Sequence, residues 1–242
     1  MGTIRAELEA ADGDAGRVMR LTLAGETKVN AFDLAMRDSL IERLALCREH
    51  PDVGAVLVTA EGSNFSAGAD LAEFRAPGTV VRKRWIRARR NVWRALWEFP
   101  LPIVVAMRGY AYGSGFELAL LADIRVADPD TRFSLPEARL GMLPGAAGTQ
   151  SLVRTVGRAV ALELICTGRV IDGAEAVELG LVHRLDPEPE KAAAALAAQL
   201  AALPRPLAIA AKRALRAGVD GPAALGLAVE RRAAVAAALG RR

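Results

Sequence analysis

The sequence predicts an α/β fold in which strands and helices alternate along the chain, and three observations support this prediction. Two continuous apolar runs, 53–60 and 103–107, have the length and composition of strands that are buried on both faces of a sheet. Segments with helical spacing of apolar residues lie between such strand-like segments. The chain has 242 residues, of which 52% are hydrophobic, so it can form a large core.

The N-terminal part is predicted to contain two strands and a helix before the first buried strand. Residues 3–9 and 17–23 alternate between apolar and polar side chains on either side of a turn rich in aspartate and glycine. Apolar residues at helical spacing over 33–49 predict a helix, and Asp33 is its candidate N-cap. The apolar run 53–60 then forms the third strand.

The middle of the chain is predicted to contain a second buried strand between two helices. An arginine-rich helix is expected over 80–98, where Pro100 and Pro102 end it. The buried strand 103–107 follows, and the glycine-rich segment 108–115 is expected to form a turn before the next helix.

The C-terminal part is predicted to be mostly helical. A short strand is expected at 123–127, a loop and helix start at 135–148, and a strand-like stretch at 181–185. Alanine-rich helices are expected over 190–240, and they are broken by Pro204, Pro206, Gly218 and Pro222. The expected division is a core with the active site at 1–190 and a helical region at 191–242.

Charge and composition exclude several classes of protein. The formal net charge of +4 and the pI of about 9.5 suit an anionic ligand but are too small to indicate nucleic-acid binding. The N-terminus lacks the apolar core of a signal peptide, and no apolar run approaches the roughly 18 residues of a membrane span. Cys47 and Cys166 lie in apolar helical patterns, which predicts two buried free thiols, no metal site and a cytoplasmic protein.

Two loops of small residues follow the buried strands and are candidates for an anion site. Gly109, Gly113 and Gly115 do not have the G-x-G-x-x-G spacing of a dinucleotide-binding loop. A turn that leads into a helix nevertheless directs unpaired N–H groups at one point, where they favour an anion or a developing oxyanion. The loop 65–70 could supply a second donor. Each loop alone is more consistent with an ordinary tight connection, and the two together are the stronger indication.

Two glutamates are candidates for acid–base chemistry. Glu117 stands in the apolar stretch 116–121, so it is predicted to be at least half buried and to have a functional reason for its position. Glu137 follows Pro136 and precedes a second glycine-rich turn, 144–148; on its own it is also consistent with a solvent-exposed acid at a helix start. Two carboxylates in different environments can divide acid and base roles.

Four segments together resemble the sequence motifs of the crotonase superfamily. They are N-A-F at 30–32, F-S-A-G-A-D-L at 65–71, G-Y-A-Y-G-S-G-F-E at 109–117, and L-P-E-A-R-L-G-M-L-P-G-A-A-G-T-Q at 135–150. The resemblance covers nearly the whole chain. It implies a spiral of ββα units followed by a helical C-terminal region that packs a homotrimer, or a hexamer made of two trimers.

The resemblance also implies the chemistry of the site. The N–H groups of Ala69 and Ser114 would form the oxyanion hole, although the family has glycine at position 114. Glu117 and Glu137 are 20 positions apart, as are the catalytic glutamates of enoyl-CoA hydratases. Gly145 stands where dienoyl-CoA isomerases carry an aspartate. The implied activity is hydration of a trans-2-enoyl-CoA to a 3-hydroxyacyl-CoA, with coenzyme A as part of the substrate and no permanently bound cofactor.

Further residues are assigned to the substrate by the same resemblance. Those expected near the coenzyme are Lys28, Ala67 and Leu71. Those expected to line the acyl pocket, with ordinary core packing as the alternative, are Phe74, Trp85, Trp93 and Gly145. Arginines of segment 80–98, or Lys212, are candidates for contacts with the phosphates, with simple solvation as the alternative.

Other functions are less consistent with the motifs. Isomerisation, hydrolysis or decarboxylation of an acyl-CoA would use the same oxyanion hole. A non-catalytic scaffold that binds acyl-CoA or RNA is supported only by the arginine-rich segment 80–98. Ser114 is not a hydrolase nucleophile, because Tyr112 and Phe116 stand where the G-x-S-x-G motif requires glycine.

Overall fold

The computed structural model describes residues 2–9, 16–25, 29–75 and 90–239, except for the side chains of residues 74, 75 and 236–239. Its strands are β1 (Thr3–Leu8), β2 (Arg17–Ala24), β3 (Val53–Ala60), β4 (Ile103–Met107), β5 (Tyr110–Tyr112), β6 (Ile124–Ala127), β7 (Arg132–Ser134) and β8 (Arg184–Leu185). Its α-helices are α1 (Leu34–Glu49), α2 (Leu71–Arg75), α3 (Val92–Trp97), α4 (Ser114–Leu121), α5 (Gly148–Thr167), α6 (Gly173–Glu178), α7 (Pro189–Ala201), α8 (Arg205–Asp220) and α9 (Ala223–Leu239). A 3₁₀ helix spans Pro136–Leu140.

The main sheet places two chemistry-bearing loops at one edge. Its strand order is β1-β2-β3-β4-β6-β8, and β5 pairs with β7 in a separate two-stranded sheet. Only the β1–β2 pair of the described sheets is antiparallel, and β3 and β4 are parallel neighbours. Because parallel neighbours end at the same edge, the loops after β3 and β4 meet there. The predicted α/β fold is confirmed.

The N-terminal predictions are confirmed. The strands expected at 3–9 and 17–23 form β1 and β2, and β3 has the bounds expected for the first buried strand. Helix α1 begins after Asp33, whose carboxylate oxygen accepts a hydrogen bond of 2.7 Å from the backbone N–H of Met36. An acceptor at this position satisfies one of the free N–H groups of the first turn, so the helix begins where the sequence predicts.

Two predicted elements differ from the structure. The segment 108–115 is more than a turn, because Tyr110–Tyr112 forms β5 and pairs with Arg132–Ser134; strands of three residues are too short to show a periodic pattern. Helix α8 continues through Gly218 to Asp220, so that glycine does not break it. One glycine costs a helix only about 1 kcal/mol, which packing can offset.

The helix predicted over 80–98 is described only in part. Helix α3 spans Val92–Trp97, and residues 80–89 lie outside the described residues. Asn91 caps α3, because its side-chain oxygen accepts a hydrogen bond of 3.0 Å from the N–H of Arg94. The C-terminal end of the predicted helix is therefore observed within two residues of its expected position.

Helix α7 covers one face of the sheet with alanines. Its buried face presents Ala193, Ala197 and Ala201, which pack in one cluster with side chains of β2, β3, β4 and β6. Small side chains let the helix backbone approach the sheet closely, which explains why an alanine-rich segment is part of the core. The opposite face of the sheet packs against α1 and α4 in the larger hydrophobic cluster.

The two cysteines lie in different environments. Both are free thiols, and Cys47 is buried, as predicted, but Cys166 is exposed, so the prediction of two buried thiols was wrong there. The buried stripe of α5 contains Leu164 and Ile165, and position 166 lies outside it. Burial raises the pKa of the Cys47 thiol to about 12.

Helices α8 and α9 expose several large apolar side chains, among them Leu215, which is 74% exposed, and Val219, Leu225 and Leu227. The homotrimer or hexamer implied by the sequence stays a prediction. Within the described residues, no single helix is long and apolar enough to cross a membrane, and one bent pair, Pro189–Ala201 with Arg205–Asp220, meets the requirement by length and composition only.

A buried arginine holds the C-terminal end of α4 and yields a stability prediction. The Nε of Arg125 donates to Leu181 O at 2.6 Å, and its Nη1 donates to Ala122 O at 2.7 Å and to Ala119 O at 3.4 Å. Arg125→Met should lower the free energy of unfolding by about 2–4 kcal/mol, because these buried carbonyls would lose a charged donor. Urea unfolding measures the change.

The matched control for this prediction is Arg158→Met, at an exposed position on α5. A surface substitution should change the free energy of unfolding by about 0.5 kcal/mol or less. An equal, small effect at both positions would show that Arg125 does not stabilise the fold.

Candidate active site

The loop after β3 leaves one backbone N–H group unpaired. The amides on either side are paired: Ala67 N donates to Val29 O at 2.8 Å, and Asp70 N donates to Phe32 O at 3.0 Å. Gly68 N donates to the hydroxyl of Ser66 at 3.1 Å. Within the described part of the chain, no acceptor pairs with the N–H of Ala69. This group is therefore available to a ligand.

The turn after β5 supplies a second unpaired N–H group close to the first. Ser114 is the first residue of α4, and an N–H group at this position has no partner within its own helix. Gly68 packs directly against this turn: a Cβ there would lie 2.9 Å from Tyr112 O and 3.4 Å from Ser114 N. Only glycine permits this approach, so the amide of Ala69, the next residue, lies close to that of Ser114.

Glu117 is buried beside this site. It is the fourth residue of α4 and only 2% exposed. Its Oε1 accepts hydrogen bonds from Ala146 N at 2.8 Å and from Gly148 N at 2.7 Å. The intervening Ala147 has a φ of 73°, and such a left-handed residue allows neighbouring N–H groups to point at one anion. Oε2 makes no hydrogen bond to the described residues, so it can contact a ligand.

Glu137 approaches the same turn from the 3₁₀ helix. A Cβ on Gly113 would lie 2.9 Å from Glu137 Oε1, so this carboxylate lies against the start of α4. Its Oε2 is buried and has no hydrogen-bond partner among the described residues. The side chain is partly buried, not solvent-exposed, so the interpretation of Glu137 as an ordinary surface acid was wrong.

Burial raises the pKa of both carboxyl groups. The pKa of Glu117 rises to about 7, chiefly through burial and further through the negative charge of Glu137, while the N–H groups of Gly148 and Ala146 act in the opposite direction. Burial also raises the pKa of Glu137. When Glu137 carries a proton, its charge no longer raises the pKa of Glu117, and the two donors at Glu117 Oε1 favour the negative charge on Glu117. The unpaired Oε2 of Glu137 favours the proton on Glu137. The pair is thus suited to acid–base chemistry near neutral pH.

The raised pKa of Glu117 predicts a pH-dependent effect of Glu117→Gln on stability. A carboxyl with a pKa of about 7 when folded and an ordinary value when unfolded destabilises the folded state as pH rises through 7. Glutamine keeps the acceptor for both N–H groups but carries no charge. The free energy of unfolding of the variant should therefore equal that of the wild type near pH 4.5. At pH 8 it should exceed that of the wild type by up to about 3 kcal/mol.

Urea unfolding at the two pH values measures this effect. Glu178→Gln is the matched control, because Glu178 is exposed on α6. A stability difference for Glu117→Gln that is the same at both pH values would contradict the raised pKa.

The structure brings together some of the predicted substrate residues. Trp93 and Gly145 line one pocket of about 290 Å³ beside the 146–148 loop. Ala67 and Leu71 are exposed at the mouth of the first loop, and Leu71 is 50% exposed. Lys28, Trp85 and the side chain of Phe74 lie outside the described residues.

Lys212 is paired within the protein. Its Nζ donates to Asp123 Oδ2 at 2.6 Å and to Leu101 O at 2.8 Å, and these bonds join α8 to the core. The ammonium group is thus already paired within the protein. The assignment of Lys212 to the phosphates stays a prediction.

Two buried polar residues that the sequence did not single out shape the first loop. Ser66 donates its hydroxyl to Asn30 O at 2.7 Å. The amide group of Asn30 donates to Glu61 O at 2.8 Å and to Asn64 O at 2.9 Å. Asn30 has a φ of 47°, a conformation that asparagine tolerates better than most residues. The N-A-F motif, N-terminal to the loop, was the available signal.

The second glycine-rich turn has a role that the sequence did not assign. Residues 144–148 follow Glu137 in sequence, but their N–H groups bind Glu117. Among the described residues, no three histidine, cysteine, aspartate or glutamate side chains lie close enough together to hold a metal ion.

Comparison with known proteins identifies the family to which the chain belongs. The family model described as enoyl-CoA hydratase/isomerase matches residues 13–237, so the chain belongs to this family, within the crotonase superfamily. The resemblance noted in the sequence is confirmed.

Named relatives and solved structures support the same assignment. The 2,3-dehydroadipyl-CoA hydratase of Escherichia coli (strain K12) is 37% identical over 219 residues, which cover 89% of this chain and 84% of that protein. A probable enoyl-CoA hydratase of Mycobacterium leprae (strain TN) is 36% identical over 220 residues, with the same coverage of 89% and 84%. The crystal structure of an enoyl-CoA hydratase from Bacillus anthracis matches with a TM-score of 0.85 and 33% identity, covering 94% of this chain and 88% of that one.

Proposed function

We propose that the chain hydrates trans-2-enoyl-CoA to 3-hydroxyacyl-CoA. The observation that carries this proposal is the convergence of two free N–H groups, Ala69 and Ser114, with two carboxyl groups of raised pKa, Glu117 and Glu137. The names of the relatives are consistent with it, since the Escherichia coli protein is a hydratase of an enoyl-CoA thioester.

The oxyanion hole is the electrostatic part of the proposed mechanism. The thioester carbonyl oxygen accepts hydrogen bonds from Ala69 N and Ser114 N. As water adds to Cβ, the electrons of the double bond move towards this oxygen, which becomes an enolate oxygen. Two fixed donors stabilise that charge without reorganisation, and one such donor typically contributes a factor of about 10²–10³ in rate.

The two glutamates carry the proton transfers. Glu117 is ionised, and its Oε2 accepts a proton from the water whose oxygen bonds to Cβ. Glu137 is protonated and delivers its proton to Cα as the enolate returns to the thioester carbonyl. Each turnover adds a proton to Glu117 and removes one from Glu137, so the pair returns to its initial state by proton exchange through water.

The exposed residues of the first loop are proposed to contact the coenzyme. Val29 and Leu71 are exposed apolar side chains near the oxyanion donors, and Ala67 N joins their segments by its bond to Val29 O. An extended thioester chain can reach the buried site from this side because the loop carries only small residues between Ser66 and Asp70. This side of the loop would therefore bind the pantetheine.

The test of the proposal is the loss of conjugated-enoyl absorbance when the purified protein is mixed with trans-2-enoyl-CoAs of increasing chain length. Rapid loss, with formation of the 3-hydroxyacyl-CoA identified by mass spectrometry, is the expected result. A mass that stays unchanged while the double bond moves would show isomerisation instead, and release of free coenzyme A would show hydrolysis.

A further inference from the structure

A pocket of about 290 Å³ lies beside the loop that binds Glu117. Gly145 and Ala147, which line it, belong to the loop whose N–H groups bind Glu117. A substrate whose Cβ faces Glu117 would extend the rest of its acyl chain past this loop. The far end of the acyl chain would then lie in this pocket.

The lining of this pocket is polar and contains two arginines, whose charges are partly offset by ion pairs with Glu98 and Asp220, which do not line it. Trp93 and Trp97 provide apolar surface. The polar side chains of the lining are two arginines and two carboxamides, with no carboxylate among the described lining residues: Asn91, Arg94, Gln150 and Arg154. Such a composition favours a ligand that brings acceptor oxygens and negative charge.

Arg154 is held in place with donor capacity left over. Its guanidinium lies 5.3 Å from the centroid of the Trp97 ring. Its Nη1 donates to Gln150 O at 2.9 Å, and its Nε donates to Asp220 Oδ1 at 3.1 Å. Its Nη2 makes no hydrogen bond to the described residues. A guanidinium fixed on one side and free on the other is suited to bind a carboxylate.

We propose that this pocket selects enoyl-CoA substrates whose acyl chain ends in a carboxylate, and that Arg154 binds that carboxylate. The inference rests on the proposed function, because it names the substrate class of the same site. The rings of Trp93 and Trp97 pack on the methylene groups of the acyl chain, and the carboxylate at the end of that chain pairs with the Nη2 group of Arg154. An acyl chain that ends in a methyl group would instead displace water from the Arg154 guanidinium and from the carboxamides of Asn91 and Gln150 without replacing their hydrogen bonds.

The experiment compares three thioesters of equal chain length: trans-2-hexenoyl-CoA, trans-2-hexenedioyl-CoA with a free far carboxylate, and the methyl ester of the latter. The wild type should hydrate the diacid thioester with a kcat/KM at least about tenfold above that of either neutral thioester. Arg154→Met should lower this ratio at least about tenfold. Arg158→Met, at an exposed arginine four positions further along the chain and outside the pocket, should leave the ratio unchanged.

The outcomes separate the pocket from the chemistry. The inference would be wrong if the wild type hydrated the neutral and diacid thioesters with equal kcat/KM and Arg154→Met did not change the ratio of the two values. The proposed function would stand in that case. Binding of the saturated thioesters hexanoyl-CoA and adipyl-CoA, measured by calorimetry, tests the pocket independently of turnover. Tighter binding of adipyl-CoA that depends on Arg154 supports the pocket even if no thioester is hydrated, and equal binding overturns it.

Discussion

Replacing Glu117 with glutamine is expected to lower kcat for enoyl-CoA hydration by about 10³-fold, within the range that a positioned general base contributes. Glutamine has nearly the same shape, and its oxygen can accept the hydrogen bonds from Ala146 N and Gly148 N that hold the side chain. It cannot accept a proton from water. The loss should therefore appear in kcat, with little change in substrate binding.

The loss of kcat in Glu117→Gln is specific if the same substitution at an exposed glutamate does not cause it. Glu178→Gln removes an exposed carboxylate from α6 and should leave kcat unchanged. Turnover by Glu117→Gln within a few-fold of the wild type would remove Glu117 from the mechanism.

For the wild type, kcat/KM should rise with pH through about 7, because the base must be ionised and its pKa is about 7.

Exchange of the α-proton distinguishes the roles of the two glutamates. In deuterated water, Glu117→Gln should still exchange the α-proton of a 3-hydroxyacyl-CoA, since Glu137 is the group that transfers it in the proposed mechanism. Glu137→Gln should lose this exchange. Exchange that persists without Glu137 and disappears without Glu117 would reverse the two roles.

The fold could largely be predicted from the sequence because its strands are buried. The continuous apolar runs at 53–60 and 103–107 have no other simple interpretation between polar loops, and both form central strands. Asp33 marked the start of α1 for a local reason, the capping bond to Met36. Strands β5 and β7 were missed because three residues define no period, and their pairing depends on contacts distant in sequence.

The site could be predicted only as far as local sequence describes it. The turn 113–115 and the apolar surroundings of Glu117 are local features, and each indicated its chemistry before the structure. The bonds from Ala146 and Gly148 to Glu117 join positions 29 and 31 residues apart, which no local pattern reveals. Arg154 likewise reaches the pocket only because α5 packs beside α3 through its contact with Trp97.

Ser114→Pro is expected to lower kcat/KM by about 10²–10³-fold, because it deletes one oxyanion donor without removing a helical hydrogen bond. Ser114 is the first residue of α4, a position where proline is favoured since its N–H has no intrahelical partner. The preceding residue is Gly113, whose φ of 50° and ψ of −129° avoid the α region that proline disfavours in its neighbour. Circular dichroism checks that α4 and the fold are retained.

Ser114→Ala separates the backbone donor from the hydroxyl. The hydroxyl of Ser114 is buried and makes no hydrogen bond to the described residues, so alanine removes an unpaired group and keeps the N–H. We expect this variant to retain most of the wild-type kcat/KM. If alanine and proline lowered the rate equally, the hydroxyl and not the amide would be the group that matters. If neither variant lowered the rate, Ser114 N would not be an oxyanion donor, and other groups would stabilise the oxyanion. In the proline variant the substrate oxygen could accept a hydrogen bond from Ala69 N but not from Ser114 N, which lies next to Gly68.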